Sequence, residues 1–162
     1  MRLPSSALAL VAAIALTGLT SMESTGDPST PAVEQRRQSP AEATASTEYD
    51  RGVRARVVEN WLVAEDAFRR AIALQPDFPD AWNELGFALR NQGRYPESVQ
   101  AYDEALRLRP EFPEALEYLG EAYVKMGRLD DARRILDRLR TLDGARASEL
   151  SEEIAKGPAP AR

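Results

Sequence analysis

The chain has 162 residues, a formal net charge of −5 at pH 7, and neither Cys nor His. Binding to nucleic acid through its phosphates needs a clustered basic face, so this acidic balance argues against that class of protein. The missing side chains also remove thiolate nucleophiles, disulfides, thiol-rich zinc sites and every Ser-His or Cys-His catalytic arrangement. We therefore expect a protein that is not an enzyme and that has no catalytic, cofactor-binding or metal-binding residues.

Residues 1–22 have the pattern of an export signal. Arg2 is followed by an uncharged stretch from Leu3 to Met22 that is rich in Ala, Leu, Val and Ile. This pattern is typical of a cleaved signal peptide. The stretch also reaches the roughly 20 residues of a membrane-spanning helix, so a retained N-terminal anchor stays open. The sequence predicts a periplasmic or exported protein, or one anchored in a bacterial inner membrane and facing the periplasm.

Residues 23–46 have the composition of a disordered linker. The segment is built mainly from Ser, Thr, Pro, Glu, Gln and Ala, and Val33 is its only large apolar residue. Such a segment buries too little apolar surface to offset the entropy lost on ordering. We expect a flexible tether that leads to a folded domain at 47–156, and a disordered tail at 157–162.

A segment of the chain recurs after 34 residues, where the run from Gln75 to Ala81 returns as the run from Arg109 to Ala115. Further matching pairs at this shift are Trp82 and Leu116, Leu85 and Leu119, Gly86 and Gly120, Gly93 and Gly127, and Tyr102 and Leu136. A weaker third copy lies upstream. Glu48 and Arg51 stand where the other copies have large apolar residues, and Glu59 stands where they have the turn Gly. A period of this length predicts stacked helical hairpins.

These residues resemble the tetratricopeptide repeat, whose pattern runs from Trp or Leu through Leu-Gly and a large residue to small and aromatic positions, and closes with Pro. Residues 79–112 match this pattern at every signature position. The resemblance implies an all-α fold, an α-solenoid of three stacked helix-turn-helix repeats with a C-terminal capping helix. The repeats are placed at about 45–78, 79–112 and 113–146, and the capping helix at 145–156.

The apolar spacing predicts the same helices. In the second copy, positions i, i+3, i+4 and i+7 are Trp82, Leu85, Gly86 and Leu89. This spacing puts them on one face of a helix, where we expect Gly86 to allow close approach next to Ser98 and Ala105. With Pro in the first turn and Gly after the last turn as boundaries, helices are expected at 47–58, 61–74, 79–92, 95–108, 113–126 and 129–142, and from Ala145 to Lys156.

In the tetratricopeptide family the first helix of each repeat lines the concave side, so the resemblance implies a groove. Its expected residues are Tyr49, Val53, Arg56 and Val57 in the first copy, Asn83, Phe87, Arg90 and Asn91 in the second, and Glu117, Glu121, Val124 and Lys125 in the third. Such a groove suits an extended peptide or a helix of a partner protein. Phe87 is the expected anchor, because large aromatic residues outside the core stripe anchor interfaces. The alternative is that Phe87 packs under a neighbouring helix or under the flexible tether.

Some tetratricopeptide domains bind the acidic C-terminal tail of a heat-shock chaperone through Lys, Asn and Arg side chains of these rows. The corresponding residues here are Tyr49, Val53, Glu84, Glu114 and Tyr118. The resemblance therefore implies a groove that lacks this clamp for acidic tails.

Two functions remain open. The first is an adaptor, scaffold or assembly factor of the bacterial cell envelope that binds a peptide or helix of a partner protein, with no nucleic acid and with membrane contact only through the N-terminal segment. The second is a structural subunit that self-associates through the weak first repeat near Glu48 and Arg51. The sequence leaves open whether the protein is a monomer or a homo-oligomer.

Overall fold

The structure, a computed structural model, describes residues 43–157, which form seven α-helices and no strand. The helices are α1 (Ala45–Val57), α2 (Trp61–Leu74), α3 (Pro79–Asn91), α4 (Tyr95–Leu108), α5 (Pro113–Lys125), α6 (Leu129–Leu139) and α7 (Gly144–Lys156). Helices α1 to α6 pair into three hairpins that stack in chain order, and α7 packs on α5 and α6. The expected α-solenoid with a C-terminal capping helix is confirmed.

The N-terminal segment lies mostly outside the described residues. The expected signal peptide or anchor at 1–22, most of the linker at 23–46, and the tail beyond residue 157 belong to this part of the chain. Within residues 43–157, no helix combines the length and the apolar character that a membrane span requires. The location of the protein stays a prediction from the sequence.

The helix ends agree with the predicted ends to within two residues, with one exception. Helix α1 begins at Ala45, two residues early, because Thr44 and Thr47 form a capping box in which each backbone amide donates to the other side chain. Helix α6 ends at Leu139, three residues early. The reason is that Asp143, in extended conformation, caps α7 by accepting two amide hydrogen bonds of its first turn.

The turns inside the hairpins share one backbone geometry. Gly93 and Gly127 follow α3 and α5 with φ of +75° and +73°, and the amide after Gly93 donates to the Leu89 carbonyl at 3.0 Å. Residues with a Cβ are disfavoured in this conformation, which explains the two glycines. Glu59 has the equivalent place in the first hairpin, with φ of +55°. The first turn therefore carries backbone strain of about 1 kcal/mol.

The described core consists of two clusters of buried apolar side chains. The first joins the first two hairpins and contains Ala55, Ala64, Phe68, Leu85, Ala88, Leu89 and Ala101. The second extends from α4 through the third hairpin to α7, and includes Tyr102, Leu116, Leu119, Leu139 and Leu150. Among the buried apolar residues of α1 and α2, Phe68 is the one large side chain and the others are Ala. The solenoid is therefore packed more heavily toward its C-terminal end.

Gly86 makes room for an aromatic ring. A Cβ at this position would lie 2.6 Å from Cε1 of Tyr102, far inside contact distance. The absence of a side chain at Gly86 therefore leaves the space that the Tyr102 ring fills. The atoms nearest to Gly86 belong to Tyr102 and not to Ser98 or Ala105, the residues that we expected beside it.

The other two hairpins have a glycine at the same position. A Cβ at Gly52 would meet the Phe68 ring, so the first hairpin repeats the arrangement of the second. In the third hairpin, a Cβ at Gly120 would meet Leu150 of α7. Helix α6 has Leu136 at the position where α4 has the aromatic Tyr102. The capping helix thus supplies the large side chain that the third repeat lacks.

The substitution Gly86→Ala is expected to lower the free energy of unfolding by about 1–3 kcal/mol, because the added methyl group overlaps the Tyr102 ring. The matched control is Gly144→Ala, where a Cβ meets no atom within 4 Å. Ala in a helix is otherwise favoured over Gly by roughly 0.5–1 kcal/mol, so the control should be neutral or stabilising. Urea unfolding followed by circular dichroism measures both. Equal stability of the two variants would contradict this packing.

Candidate functional site

One row of aromatic and guanidinium side chains crosses all three hairpins. Phe87 of α3 lies at its centre, and the guanidinium carbons of Arg56 and Arg90 are 5.5 and 5.1 Å from its ring centroid. The Tyr118 ring of α5 is 5.1 Å from the Phe87 ring and 5.0 Å from the Arg90 guanidinium group. Arg90 also forms an ion pair with Glu121. We call these five residues the Phe87 row; four of them were expected groove residues, and Tyr118 was not.

Phe87 is half-buried and belongs to neither core cluster. Its second aromatic neighbour is Trp61, at the start of α2, with ring centroids 5.8 Å apart in an edge-on arrangement. Trp61 was missed because the 34-residue shift places it with Tyr95 and Leu129 on the second helices, which the family pattern does not assign to the groove. Phe87 thus contacts neighbouring helices, as the alternative held, and also remains part of the surface.

Three expected groove residues are part of the packing instead of an open surface. Val124 lies in the second core cluster, and Asn83 and Glu117 are also buried. Helix α7 packs against α5 at this end, and Arg146 of α7 forms an ion pair with Glu117. The capping helix therefore packs on the side of α5 that carries Glu117, while Glu121 and Lys125 of the expected row stay outside the core.

The remaining expected residues lie around the Phe87 row. Tyr49 and Val53 are half-buried and pack against the first core cluster, and the Tyr49 ring is 5.0 Å from the Phe78 ring. Asn91 and Lys125 are exposed and line a shallow pocket beside Arg90 and Glu121. The groove is thus open along the Phe87 row and bounded by aromatic residues on the Tyr49 side.

A buried carboxylate lies next to the row. Oε2 of Glu84 is 3.2 Å from Nε of Arg56, but neither atom forms a hydrogen bond with a described residue. Burial raises the pKa of Glu84 from 4.5 to about 7, against the opposing effect of Arg56, and the charges of Glu114 and Asp80 raise it further. Burial and the same carboxylates raise the pKa of Tyr49 to about 12. These residues therefore share one electrostatic environment.

The other two carboxylates have different partners. Asp80 accepts two hydrogen bonds from Arg109, at 3.0 and 2.6 Å, whereas Glu114 accepts one from the Tyr118 hydroxyl at 3.2 Å. The sequence contained a sign of this arrangement, since Asp80 and Glu84 fall on Glu114 and Tyr118 at the 34-residue shift. A repeated i, i+4 pair on the first helix of a repeat thus marks this part of the groove, although it was not assigned there.

The substitution Glu84→Gln is expected to change how stability depends on pH. A raised pKa means that the folded protein holds a proton that the unfolded chain releases, so Glu84 lowers the free energy of unfolding as pH rises from 4.5 to about 7. Gln does not ionise, so the variant does not lose free energy of unfolding in this way as pH rises. Relative to wild type, its stability should therefore rise with pH over this range, by up to about 3 kcal/mol.

Urea unfolding at pH 5 and pH 8 measures the effect on Glu84→Gln, with Glu104→Gln as the matched control. Glu104 pairs with Arg107 on the surface of α4, so removing its charge should leave the pH dependence nearly unchanged. A stability difference between Glu84→Gln and wild type that is the same at both pH values would contradict a buried, protonated Glu84.

Comparison with known proteins identifies the repeats. Family models described as TPR repeat or tetratricopeptide repeat match residues 88–127, 67–100 and 114–143. The peroxisomal targeting signal receptor of Eremothecium gossypii is 49% identical over 37 residues, which are 23% of this chain and 6% of that protein. This chain thus corresponds to a small part of that relative.

Solved structures share the fold. The TPR2B domain of yeast Sti1 in its pHsp70 complex has a TM-score of 0.67 and 19% identity, over 69% of this chain and 96% of that chain. The type III secretion chaperone SycD of Yersinia enterocolitica, in complex with a peptide of the translocator YopD, has a TM-score of 0.64 and 17% identity, over 68% of this chain and 92% of that chain. The stacked hairpins of this chain therefore have the fold of these structures, and its repeats match the tetratricopeptide-repeat models.

Proposed function

We propose that this protein is a non-enzymatic interaction module of the bacterial cell envelope, which holds a peptide or helix of a partner protein in its groove. The observation that carries the proposal is the Phe87 row, which forms one surface across all three hairpins. Aromatic and Arg side chains are enriched among the residues that dominate binding energies. Phe87 has this role because it lies at the centre of the row and outside both core clusters.

The structural neighbours support a protein segment as the ligand. The Yersinia chaperone is in complex with a peptide of YopD, and the yeast domain is in a pHsp70 complex. A solenoid of this size presents an extended surface along its first helices. A peptide or helix laid along the Phe87 row would contact side chains from all three repeats.

The envelope location rests on the sequence of residues 1–46. The uncharged stretch has the pattern of a signal peptide or anchor, and the following segment has the composition of a flexible tether. A tethered module reaches partners over a larger distance than a domain that sits directly on a membrane. We therefore look for the partner among proteins of the cell envelope.

The double substitution Phe87→Ala with Arg90→Ala is expected to weaken partner binding strongly. Truncating a central aromatic or Arg anchor typically costs about 2 kcal/mol or more, so affinity should fall about thirtyfold or more. The measurement is quantitative mass spectrometry of proteins captured from an envelope fraction by the tagged full chain.

The matched control is Tyr123→Ala with Arg128→Ala. The Arg128 guanidinium carbon lies 4.6 Å from the Tyr123 ring centroid. This contact is of the same kind as those of the Phe87 row, but the pair lies outside that row. This control should capture the same proteins as wild type. If the Phe87 and Arg90 variant still retained every envelope partner while folded, the groove would not be the binding site.

Self-association is a second candidate function, because the first hairpin exposes apolar side chains. Val57, Val58 and Leu62 are 74%, 72% and 70% exposed at the turn between α1 and α2. Glu48 and Arg51, where we expected such a contact, are paired internally, since Arg51 donates to Glu48 at 2.8 Å and to a carboxylate of α2 at 2.7 Å. A contact between copies would therefore use the apolar turn.

Self-association through the turn predicts a dimer mass for the full chain in light scattering at high concentration. The double substitution Val58→Ser with Leu62→Ser should return the monomer mass, because it removes the apolar area that drives the contact. Leu142→Ser is the control, since Leu142 is exposed at a different turn. A monomeric wild-type chain would remove this candidate.

A further inference from the structure

The carboxylates beside the Phe87 row are only partly neutralised by the described part of the chain. Asp80 is bound by Arg109 through two hydrogen bonds. Glu84 is near Arg56 without a hydrogen bond. Among residues 43–157, Glu114 has the Tyr118 hydroxyl as its polar contact and no ion pair. Two of the three carboxylates thus have an ion pair within residues 43–157, and Glu114 has none.

Two buried polar groups at the same place have unused hydrogen-bonding capacity. Glu84 is 7% exposed, and its Oε2 atom accepts no hydrogen bond from the described residues. Tyr102 is 0% exposed, and its hydroxyl also lacks a partner there. Burial raises the pKa of this hydroxyl; the charge of Arg90 opposes the shift, and those of Tyr118, Glu84 and Glu114 add to it. A buried acceptor without a donor carries the desolvation cost of that group, and a larger cost when it is charged.

We propose that this part of the groove, bounded by Tyr49, Glu84 and Glu114, binds the cationic side chain of a Lys or Arg residue of the partner peptide. The inference rests on the proposed function and names the chemistry of its ligand. An ammonium or guanidinium group supplies N–H donors for the free oxygens of Glu84 and Glu114, and a positive charge for Glu114, which has no ion pair among the described residues.

The surrounding rings suit the hydrocarbon part of the same side chain. Tyr49 and Tyr118 are both half-buried, so each presents part of a ring to the groove. Lys and Arg side chains pack their apolar stems along such surfaces while the charged end reaches a polar partner. The charge and the apolar lining therefore select the same type of residue.

An acidic peptide is disfavoured at this place. Its carboxylates would lie next to the Glu114 carboxylate, and like charges brought together across an interface oppose binding. The family clamp for acidic tails requires Lys, Asn and Arg side chains where this chain has Glu84, Glu114 and Tyr118. The groove therefore discriminates by repulsion as well as by attraction.

A display library of short linear peptides, selected on the full chain, tests the inference. The enriched peptides are synthesised with a fluorescent label, and their affinities are measured by anisotropy. We expect a Lys or Arg at one shared position, and replacing it with Gln should weaken binding about tenfold or more, as for other desolvated charge pairs.

The protein variant Glu84→Gln with Glu114→Gln should weaken the original peptide to the same extent and should leave the Gln-substituted peptide unaffected. If the peptide change and the protein change together weaken binding no more than either change alone, the peptide cation interacts directly with the two carboxylates. The control Glu104→Gln with Glu111→Gln makes the same charge change outside the groove and should bind as wild type does. If the Glu84 variant does not fold, Glu114→Gln alone makes the same comparison.

Two results separate this inference from the proposed function. The first result is a set of enriched peptides without Lys and Arg that bind the Glu84 and Glu114 variant as tightly as wild type but do not bind the Phe87→Ala and Arg90→Ala variant. This result would overturn the cation site and leave the groove as the binding site. Enriched peptides that do not depend on Phe87 and Arg90, or no enrichment at all, would overturn both.

Discussion

The packing of a large side chain against a glycine of the neighbouring helix determines how this solenoid is built. At Gly86 the Tyr102 ring occupies the space that a Cβ would need, so the packing of α3 against α4 depends on this glycine. Phe87 is the next residue and points about 100° away around the helix axis, toward the groove. The contact that forms the hairpin therefore also orients the anchor residue.

The 34-residue period and the Pro and Gly positions were sufficient to predict the fold, because each repeat contacts mainly its neighbours. The site was less predictable. The sequence identified Arg56, Phe87, Arg90 and Glu121 through their positions on the first helices. It did not show that α7 buries Val124 and Glu117, because that depends on where the capping helix packs. Trp61 was missed for a similar reason, since its contact with Phe87 joins helices of different repeats.

The groove shows how one backbone can serve different ligands. Repeat geometry sets which positions face a bound segment, and the residues at those positions set its chemistry. In this chain, guanidinium groups and rings occupy the centre, while carboxylates lie beside Tyr49. The fold that this chain shares with the yeast and Yersinia structures therefore says little about the charge of its partner, which has to be inferred from the side chains.

The strained turn at Glu59 has a consequence for motion. The first hairpin carries left-handed backbone strain, buries one large side chain besides alanines, and is described with a neighbour on one side only. In a linear array such a unit opens at the lowest free energy, so its amides should exchange with solvent fastest. Because this hairpin supplies Tyr49 and Arg56, each opening removes one wall of the groove. A bound segment would slow that exchange, and its measured affinity would include the work of keeping the first hairpin closed.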